Sequence, residues 1–211
     1  GGQILRTALA LACVTKTPIE IFNIRRGRKN LGLQPQHLAG VRACAKVSAA
    51  QVEGGVLGST ELSFVPGALR GGNYEFDVAE EKGSAGSVSL VIQSILLPLL
   101  FCKNESEIVI RGGTHVPFSP PFEYVALVLL PFLNKLGVRV EAEILKYGFY
   151  PKGGGEVKIK VKPAGELKGL SVENRGSFIR IHGFAAVSNL PISIAQREKA
   201  EAEKILSKEN L

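Results

Sequence analysis

The sequence predicts an α+β protein made of repeated α/β units, followed by the beginning of a smaller α/β region. Helical and strand patterns alternate along residues 3–161. The order helix, strand, helix, strand, strand occurs twice, with an offset of roughly ninety residues, as expected for an internal repeat. The character of the chain changes after Pro163. We therefore expect a large domain of two similar units over residues 1–170 and the start of a smaller domain over residues 171–211.

The first repeat begins with a helix. Apolar residues recur at helical spacing over residues 3–14, and a strand pattern follows at 19–24. Residues 36–49 have the spacing of a second helix with one inward face. Two strands, 51–53 and 61–65, complete this repeat, and the second ends at a Pro-Gly pair that cannot continue it.

The second repeat has the same order, preceded by one more strand. Its first helix is apolar on nearly every side, which indicates a buried helix. The predicted elements are a strand at 74–78, a helix at 87–101, a strand at 108–111, a helix at 122–136, and strands at 138–145 and 157–161.

The last part of the chain has a different composition. Residues 178–187 have a strand pattern that contains His182. Residues 191–206 have the pattern of an amphipathic helix whose solvated face alternates Glu with Lys.

Composition limits the class of protein. The chain has 211 residues with 45% hydrophobic content, enough for a large domain plus a smaller one. The net charge of +7 suits a polyanionic partner, although many proteins without one carry as much charge. The most apolar run, 90–100, is shorter than the ~20 residues of a membrane span, so we expect no membrane partner. The three cysteines, Cys13, Cys44 and Cys102, lack metal or disulfide spacing and predict reduced core thiols in a cytoplasmic protein.

Two features of the first repeat indicate a phosphate ligand. Residues 25–29 (RRGRK) follow a strand end, where α/β folds place ligands, and arginine forks match phosphate oxygens. A solvated surface loop is the alternative. Arg6 lies in an otherwise apolar helix, where either a phosphate partner or a snorkelling side chain accounts for it.

Three features of the second repeat have a functional and an ordinary interpretation. Residues 83–87 (GSAGS) could offer helix-terminal amides to an anion, or simply start the helix with a serine cap. The amide of Gln93, in an apolar helix, could contact a metal or phosphate, or a neighbouring backbone group. Pro120 and Pro121 form either a flat shelf for a base or an ordinary helix start.

The histidines do not reveal a catalytic or metal site. His37 lies in the first turn of a helix, His115 in a Gly/Pro-rich loop, and His182 in the predicted late strand. None has a Ser, Cys, Asp or Glu at a spacing typical of a catalytic base or a metal ligand set. We therefore assign no metal ligand.

Several phrases together resemble the RNA 3′-terminal phosphate cyclases. Their order and spacing agree with that family over nearly the whole chain. The matching stretches are residues 1–6 (GGQILR), 24–28 (IRRGR), 32–33 (GL), 36–38 (QHL), 83–87 (GSAGS), 112–114 (GGT), 119–121 (SPP) and 148–155 (GFYPKGGG).

The resemblance implies a fold and a reaction. The fold would consist of units with two helices on a four-stranded sheet, with a smaller α/β domain inserted late in the large domain. The reaction would be an AMP-forming ligase step in RNA processing. ATP and a divalent metal, Mg²⁺ or Mn²⁺, would convert an RNA 3′-phosphate end to a 2′,3′-cyclic phosphate through enzyme-AMP and RNA-adenylate intermediates. RNA 3′ ends would be the partner, and a homodimer would be compatible with the family.

The resemblance also implies roles for individual residues. Arg6, Arg25 and Arg28 would clamp phosphates during catalysis. Gln3 would lie in the phosphate and metal region.

Four further residues would surround the nucleotide. Gln93 and Pro120 would contact ATP, with Pro120 against the adenine. Gln36 and His37 would border the same cleft.

Two parts of the family pattern would fall outside residues 1–211. An acidic metal ligand would precede Gly1, and the histidine that takes AMP would follow Leu211. We therefore expect the chain by itself not to complete the reaction.

The sequence is compatible with two other functions. One is a cyclase-like scaffold in rRNA processing and ribosome assembly, although such relatives lose the cationic pocket residues that are present here. The other is a small-molecule transferase, since similar repeated units build enolpyruvyl transferases. The phrase GFYP at residues 148–151 argues against the transferase.

Overall fold

A computed structural model describes residues 1–78, 86–177 and 179–208. The chain divides into two compact units, Gly1–Gly169 and Leu170–Leu211. That the second unit begins an inserted domain stays a prediction.

The first repeat consists of two helices and a three-stranded antiparallel sheet. Its sheet has the order β1-β3-β2, with β3 paired to both neighbours. The elements are α1 (Gly2–Thr15), β1 (Ile19–Ile21), α2 (Pro35–Ser48), β2 (Gln51–Glu53) and β3 (Leu62–Val65).

The second repeat has a four-stranded sheet in the order β4-β5-β7-β6. The edge strand β4 is parallel to β5, whereas β7 is antiparallel to both β5 and β6. The elements are β4 (Asn73–Asp77), α3 (Val88–Leu100), β5 (Ser106–Gly112), α4 (Phe122–Tyr124), a π-helical turn (Val125–Leu129), α5 (Leu130–Lys135), β6 (Arg139–Lys146) and β7 (Gly155–Lys162).

The two repeats share one topology, which confirms the predicted α+β fold of repeated units. The order β1-β3-β2 in the first sheet corresponds to β5-β7-β6 in the second, and both are antiparallel. The second repeat has the expected four strands. Over the described residues the first has three, since no strand there corresponds to β4.

The helices α1, α2 and α3 pack together in the core. Helix α3 is buried on most of its surface, as its continuous apolar pattern predicts. Gly40 of α2 lets the chain approach α3, because a Cβ atom there would lie 3.0 Å from Oγ of Ser94. The three cysteines are free and buried, as the sequence predicts.

The helix predicted at 122–136 is interrupted by a π-helical turn. The amide of Leu130 donates to the carbonyl of Val125, five residues earlier. Pro131 follows directly, and proline has no N–H to donate and its ring collides with the carbonyl four residues before it. The wider turn accommodates this proline without ending the helix.

The strand predicted at 178–187 is wrong over residues 179–187, which have no regular secondary structure. The second unit contains no other strand among its described residues, so an isolated strand would leave its backbone groups without partners. The helix predicted nearby is present as α6 (Ser193–Lys208). Within the described residues, none of the helices combines the length and the apolar content needed to cross a bilayer.

Candidate anion-binding site

Three predicted site residues meet between α1 and α3. Nε of Arg6 donates to Oε1 of Gln93 at 2.8 Å, and Nη2 of Arg6 donates to Oε1 of Gln3 at 3.2 Å. Nε2 of Gln93 also donates to Oε1 of Gln3, at 3.1 Å. The three side chains form a closed ring of hydrogen bonds, which we call the Arg6 network.

Within the described residues, the charge of Arg6 has no carboxylate partner. Both acceptors in the network are neutral amide oxygens, and no ion pair of Arg6 occurs among residues 1–78, 86–177 and 179–208. The side chain is half-buried, and this burial lowers the pKa of Arg6 below its ordinary value. A partly desolvated cation held by amides alone is stabilised by an anionic ligand.

His37 lies beside the Arg6 network. A Cβ atom on Gly2 would lie 2.6 Å from Nε2 of His37 and 3.1 Å from Nη1 of Arg6, so both groups adjoin the same glycine. Nδ1 of His37 accepts a hydrogen bond from the amide of Gln34 at 3.2 Å, which caps the start of α2. The ring is therefore fixed by its own helix.

The environment keeps His37 neutral. Burial, followed by the charges of Arg25 and Arg6, lowers the pKa of His37 to about 4. Because Nδ1 accepts a hydrogen bond, the neutral ring carries its proton on Nε2. His37 therefore offers an N–H donor next to the guanidinium.

Arg25 and Arg28 lie in the loop that follows β1. Arg25 has a left-handed backbone, with φ of 59°, and its Nε donates to the carbonyl of Asn30 at 3.1 Å. Its charge acts on His37, which links it to the network. The amide of Arg28 donates to the carbonyl of Arg25 at 2.9 Å, and its side chain is exposed. Arg28 thus shares the loop, but no contact with the network is present among the described residues.

Gln36 and Pro120 are near the site only in the sense that the segments that carry them adjoin elements of the site. Gln36 precedes His37 in α2 and is half-buried, whereas Pro120 is exposed in the loop before α4. That loop begins beside the start of α3, where the amide of Val88 donates to the carbonyl of Gly113 at 2.9 Å. Their roles stay predictions.

The predicted loop at residues 83–87 is described only in part, because Gly83, Ser84 and Ala85 lie outside the described residues. At the start of α3, the hydroxyl groups of Ser87 and Ser89 are buried and have no hydrogen-bond partner among the described residues. A buried polar group without a partner is rare in native structures, so these two hydroxyls are candidates for contact with a ligand. The sequence predicted for Ser87 either a place in an anion-binding helix start or a role as a cap, and its side chain makes no cap hydrogen bond in the structure. The sequence did not single out Ser89.

The burial predicted for this helix does not extend to Gln93, which lies at an exposed position of α3. Its partners are side chains of the Arg6 network and not backbone groups. The residues on the buried faces of α3 make the helix apolar, and Gln93 lies on its exposed side.

His115 has a carboxylate partner that sequence spacing did not reveal. Its Nε2 lies 2.6 Å from Oε2 of Glu123, and its Nδ1 lies 2.8 Å from Oγ1 of Thr114. A carboxylate only accepts, so Nε2 donates to Glu123 and Nδ1 can accept from the Thr114 hydroxyl. The ring is half-buried between aromatic neighbours, and it is separate from the Arg6 network in sequence and contacts.

No group of three or more His, Cys, Asp and Glu side chains is arranged for a metal ion in the described part of the chain. The structure therefore gives no metal ligand set from these residue types within that part.

Comparisons with known proteins agree with the resemblance. A family model described as RNA 3′-terminal phosphate cyclase matches residues 1–200. Among relatives of that name, the Caldivirga maquilingensis protein is 48% identical over 210 residues, which cover 99% of this chain and 58% of the relative. The Trichormus variabilis protein is 46% identical over 98% of this chain and 60% of its own length. The Archaeoglobus fulgidus protein is 45% identical over 100% of this chain and 62% of its own length.

The chain thus spans about three fifths of the length of these curated relatives. The match of the family model covers most of its residues. The chain belongs to the RNA 3′-terminal phosphate cyclase family.

Proposed function

We propose that this chain provides the phosphate-binding side of a site that converts an RNA 3′-phosphate end to a 2′,3′-cyclic phosphate with ATP. Family membership supports this class of reaction. The observation that carries the proposal is the half-buried charge of Arg6, which is oriented by two amides and has no carboxylate partner among the described residues.

The proposed reaction needs activation of the RNA phosphate. Transfer of AMP from an enzyme-AMP intermediate to the 3′-phosphate oxygen creates a good leaving group. The 2′-hydroxyl then attacks the phosphorus, loses its proton, and displaces AMP to close the ring. Cationic side chains stabilise the negative charge that spreads over the phosphate oxygens in such steps.

The residues present would bind and orient the phosphates. Arg6 and Arg25 bring positive charge to the position of His37, whose Nε2–H adds a neutral donor. In this proposal Arg28 reaches the same anion from the Arg25 loop. Gln3 and Gln93 hold the guanidinium of Arg6 in one plane, which favours two parallel bonds to a phosphate.

ATP fits features at the start of α3. The buried hydroxyls of Ser87 and Ser89, which have no hydrogen-bond partner among the described residues, lie at the start of the helix that also carries Gln93. A helix N-terminus with free hydroxyl donors suits a phosphate group. Pro120, at the end of the neighbouring loop, would then lie against the adenine.

The described residues contain no cluster of three or more His, Cys, Asp and Glu that would form a complete site for a divalent metal. Mg²⁺ and Mn²⁺ prefer carboxylate and phosphate oxygens. We therefore derive no step through a metal bound to these side chains.

A non-catalytic scaffold is the second candidate function. A scaffold has no need of a half-buried arginine that lacks a carboxylate partner among the described residues, and an apolar residue at this position would avoid the cost of desolvating the charge. The Arg6 network therefore favours the enzyme.

Isothermal titration with ATP tests the proposal. We expect Arg6→Gln to weaken ATP binding by about tenfold or more, since a charged hydrogen-bond donor is lost. Arg139→Gln is the matched control, because Arg139 is an exposed arginine at the start of β6. It is paired in register with Lys162, at the opposite end of the sheet from Gly112, where the loop that carries Pro120 begins. Equal ATP affinity in wild type and Arg6→Gln would overturn the proposal.

A further inference from the structure

Two loops that follow β5 and β6 are joined into one structural piece. The amides of Thr114 and His115 donate to the carbonyl of Gly148 at 2.8 and 3.1 Å. The amide of Tyr150 donates to the carbonyl of His115 at 3.0 Å. The amide of Gly148 also donates to the buried hydroxyl of Thr114, at 2.9 Å. Loops cross-linked in this way hold their side chains in a fixed arrangement.

These joined loops present aromatic side chains to solvent. Phe118 is fully exposed and has a left-handed backbone, with φ of 62°. Tyr150 is 65% exposed and Tyr147 is 47% exposed. An exposed phenylalanine forgoes about 2 kcal/mol of burial, and the left-handed conformation costs about 1 kcal/mol more. The fold thus maintains an unfavourable arrangement at Phe118.

The exposed ring of Tyr147 is part of a stack of rings that includes His115 and Phe149. His115 stacks on Phe149 with ring centroids 5.0 Å apart, and on Tyr147 at 5.6 Å. The bonds of His115 to Glu123 and Thr114 fix the orientation of its ring. Tyr147 therefore presents an exposed ring from a rigid, preorganised support.

The charge of the joined loops is positive. Lys146 and Lys152 are exposed, and there is no Asp or Glu between residues 112 and 122 or between 144 and 155. Three glutamates flank these stretches: Glu123 is bonded to His115, Glu156 is ion-paired with Arg111, and Glu143 lies opposite Lys158 in register. Exposed aromatic rings beside lysines, in stretches that contain no Asp or Glu, match the chemistry of single-stranded nucleic acid, whose bases stack and whose phosphates are negative.

We infer that Phe118, Tyr147 and Tyr150, together with Lys152, form a stacking surface for the bases of single-stranded RNA. This inference rests on the proposed function, which makes an RNA strand the substrate. The surface binds nucleotides upstream of the RNA end, whereas the Arg6 network binds phosphates. The loop of Phe118 starts beside the first turn of α3, and the network includes Gln93 on the same helix, so one strand can reach both.

Binding of a 5′-fluorescein-labelled, single-stranded RNA with a 3′-phosphate, followed by fluorescence anisotropy, tests this surface. Phe118→Ala and Tyr150→Ala should each raise the Kd for this RNA about fivefold or more, as loss of one stacked base predicts. Phe118→Trp and Tyr150→Phe should retain wild-type affinity. Both alanine variants should have the same melting temperature as the wild type, since the removed rings are exposed. The control is Phe101→Ala, a half-exposed ring at the other end of α3.

Each outcome has one meaning. If wild type binds the RNA and both alanine variants bind it equally well, the stacking surface is wrong and the proposed function stands. If wild type fails to bind the RNA, the proposed substrate and the surface both fail. If Phe118→Ala and Tyr150→Ala weaken ATP binding as much as RNA binding, the loops hold the nucleotide and the inference is overturned.

Discussion

At the scale of single residues, the hydrogen bonds of the Arg6 network determine which atoms face a ligand. Oε1 of Gln3 accepts from both Arg6 and Gln93, so its amide orientation is fixed. Oε1 of Gln93 accepts from Nε of Arg6. A carboxylate at position 93 would have nearly the same shape but would neutralise the guanidinium.

Gln93→Glu therefore separates charge from structure. We expect it to weaken ATP binding by about tenfold or more, because the new carboxylate pairs with Arg6 and repels phosphate. The melting temperature should be equal to or higher than that of wild type. Titration calorimetry and thermal unfolding provide the two readouts, with Gln196→Glu on α6 as the control. ATP affinity unchanged by Gln93→Glu would show that the network is structural only.

His37 makes the stability depend on pH. Its pKa is lowered to about 4 in the folded chain, from 6.5 in the unfolded chain. Between these values the unfolded state binds the extra proton, so stability is complete above pH 6.5 and falls as the pH drops toward 4. The slope from this one group is at most about 1.4 kcal/mol per pH unit.

His37→Gln should remove this slope while keeping the cap of α2, since glutamine at this position can also accept from the amide of Gln34. The measurement is the free energy of unfolding in urea at several pH values from 7 to 4. Parallel pH profiles for wild type and His37→Gln would mean that His37 titrates normally.

At the scale of helices and strands, periodicity predicted most elements and missed those set by tertiary contacts. The helix α3 differs from the predicted 87–101 by only one residue at each end, because its long apolar run gives a clear signal. The π-helical turn at Val125–Leu129 needed the steric effect of Pro131. The strand expected at 178–187 had the right local pattern but, over residues 179–187, found no partner among the described residues of its unit.

The site was harder to predict than the fold. Gln93 is 87 residues from Arg6 in sequence, so no local pattern links them. The resemblance named both residues, but their direct hydrogen bond comes from the packing of α1 on α3. Likewise, Glu123 follows His115 by eight residues across a loop, a spacing that no regular element brings together.

The close backbone packing of the joined loops at Gly148 should affect stability. A Cβ atom on Gly148 would collide with the backbone amide of Gly155 and would lie 2.6 Å from the carbonyl oxygen of Gly112. Backbone atoms cannot rotate away, so we expect Gly148→Ala to destabilise the fold by about 2 kcal/mol or more. Urea unfolding measures this change. Gly165→Ala is the control, since a Cβ atom at Gly165 meets nothing within 4 Å. Equal stability of the two variants would refute the close approach.

At the scale of the whole molecule, the positive charge is distributed unevenly. The outer face of the second sheet alternates signs across its strands, since Lys160 lies between Glu107 and Glu141 in register. Lys158 lies 2.6 Å from Glu107 as well. This sheet face is internally balanced, whereas the loop at 25–29 carries four cations and no acid. The excess positive charge of the molecule therefore includes the arginine loop beside the candidate site.

Arg28→Ala in the full-length protein tests whether that loop acts in catalysis. We expect at least a tenfold loss of RNA cyclisation, which corresponds to about 1.4 kcal/mol of transition-state stabilisation. Lys160→Ala, which removes a cation from the balanced sheet face, should retain activity. The assay follows conversion of a 3′-phosphate end to a phosphatase-resistant cyclic end. Wild-type turnover in Arg28→Ala would remove this residue from the site.

A crystal structure of this chain with bound ATP tests the phosphate-binding role of Arg6 most directly. We expect a phosphate oxygen within hydrogen-bonding distance of the Arg6 guanidinium, on the side where Nε2 of His37 adjoins Gly2. ATP bound with its phosphates elsewhere, and Arg6 still contacting only Gln3 and Gln93, would show that Arg6 does not bind the phosphates.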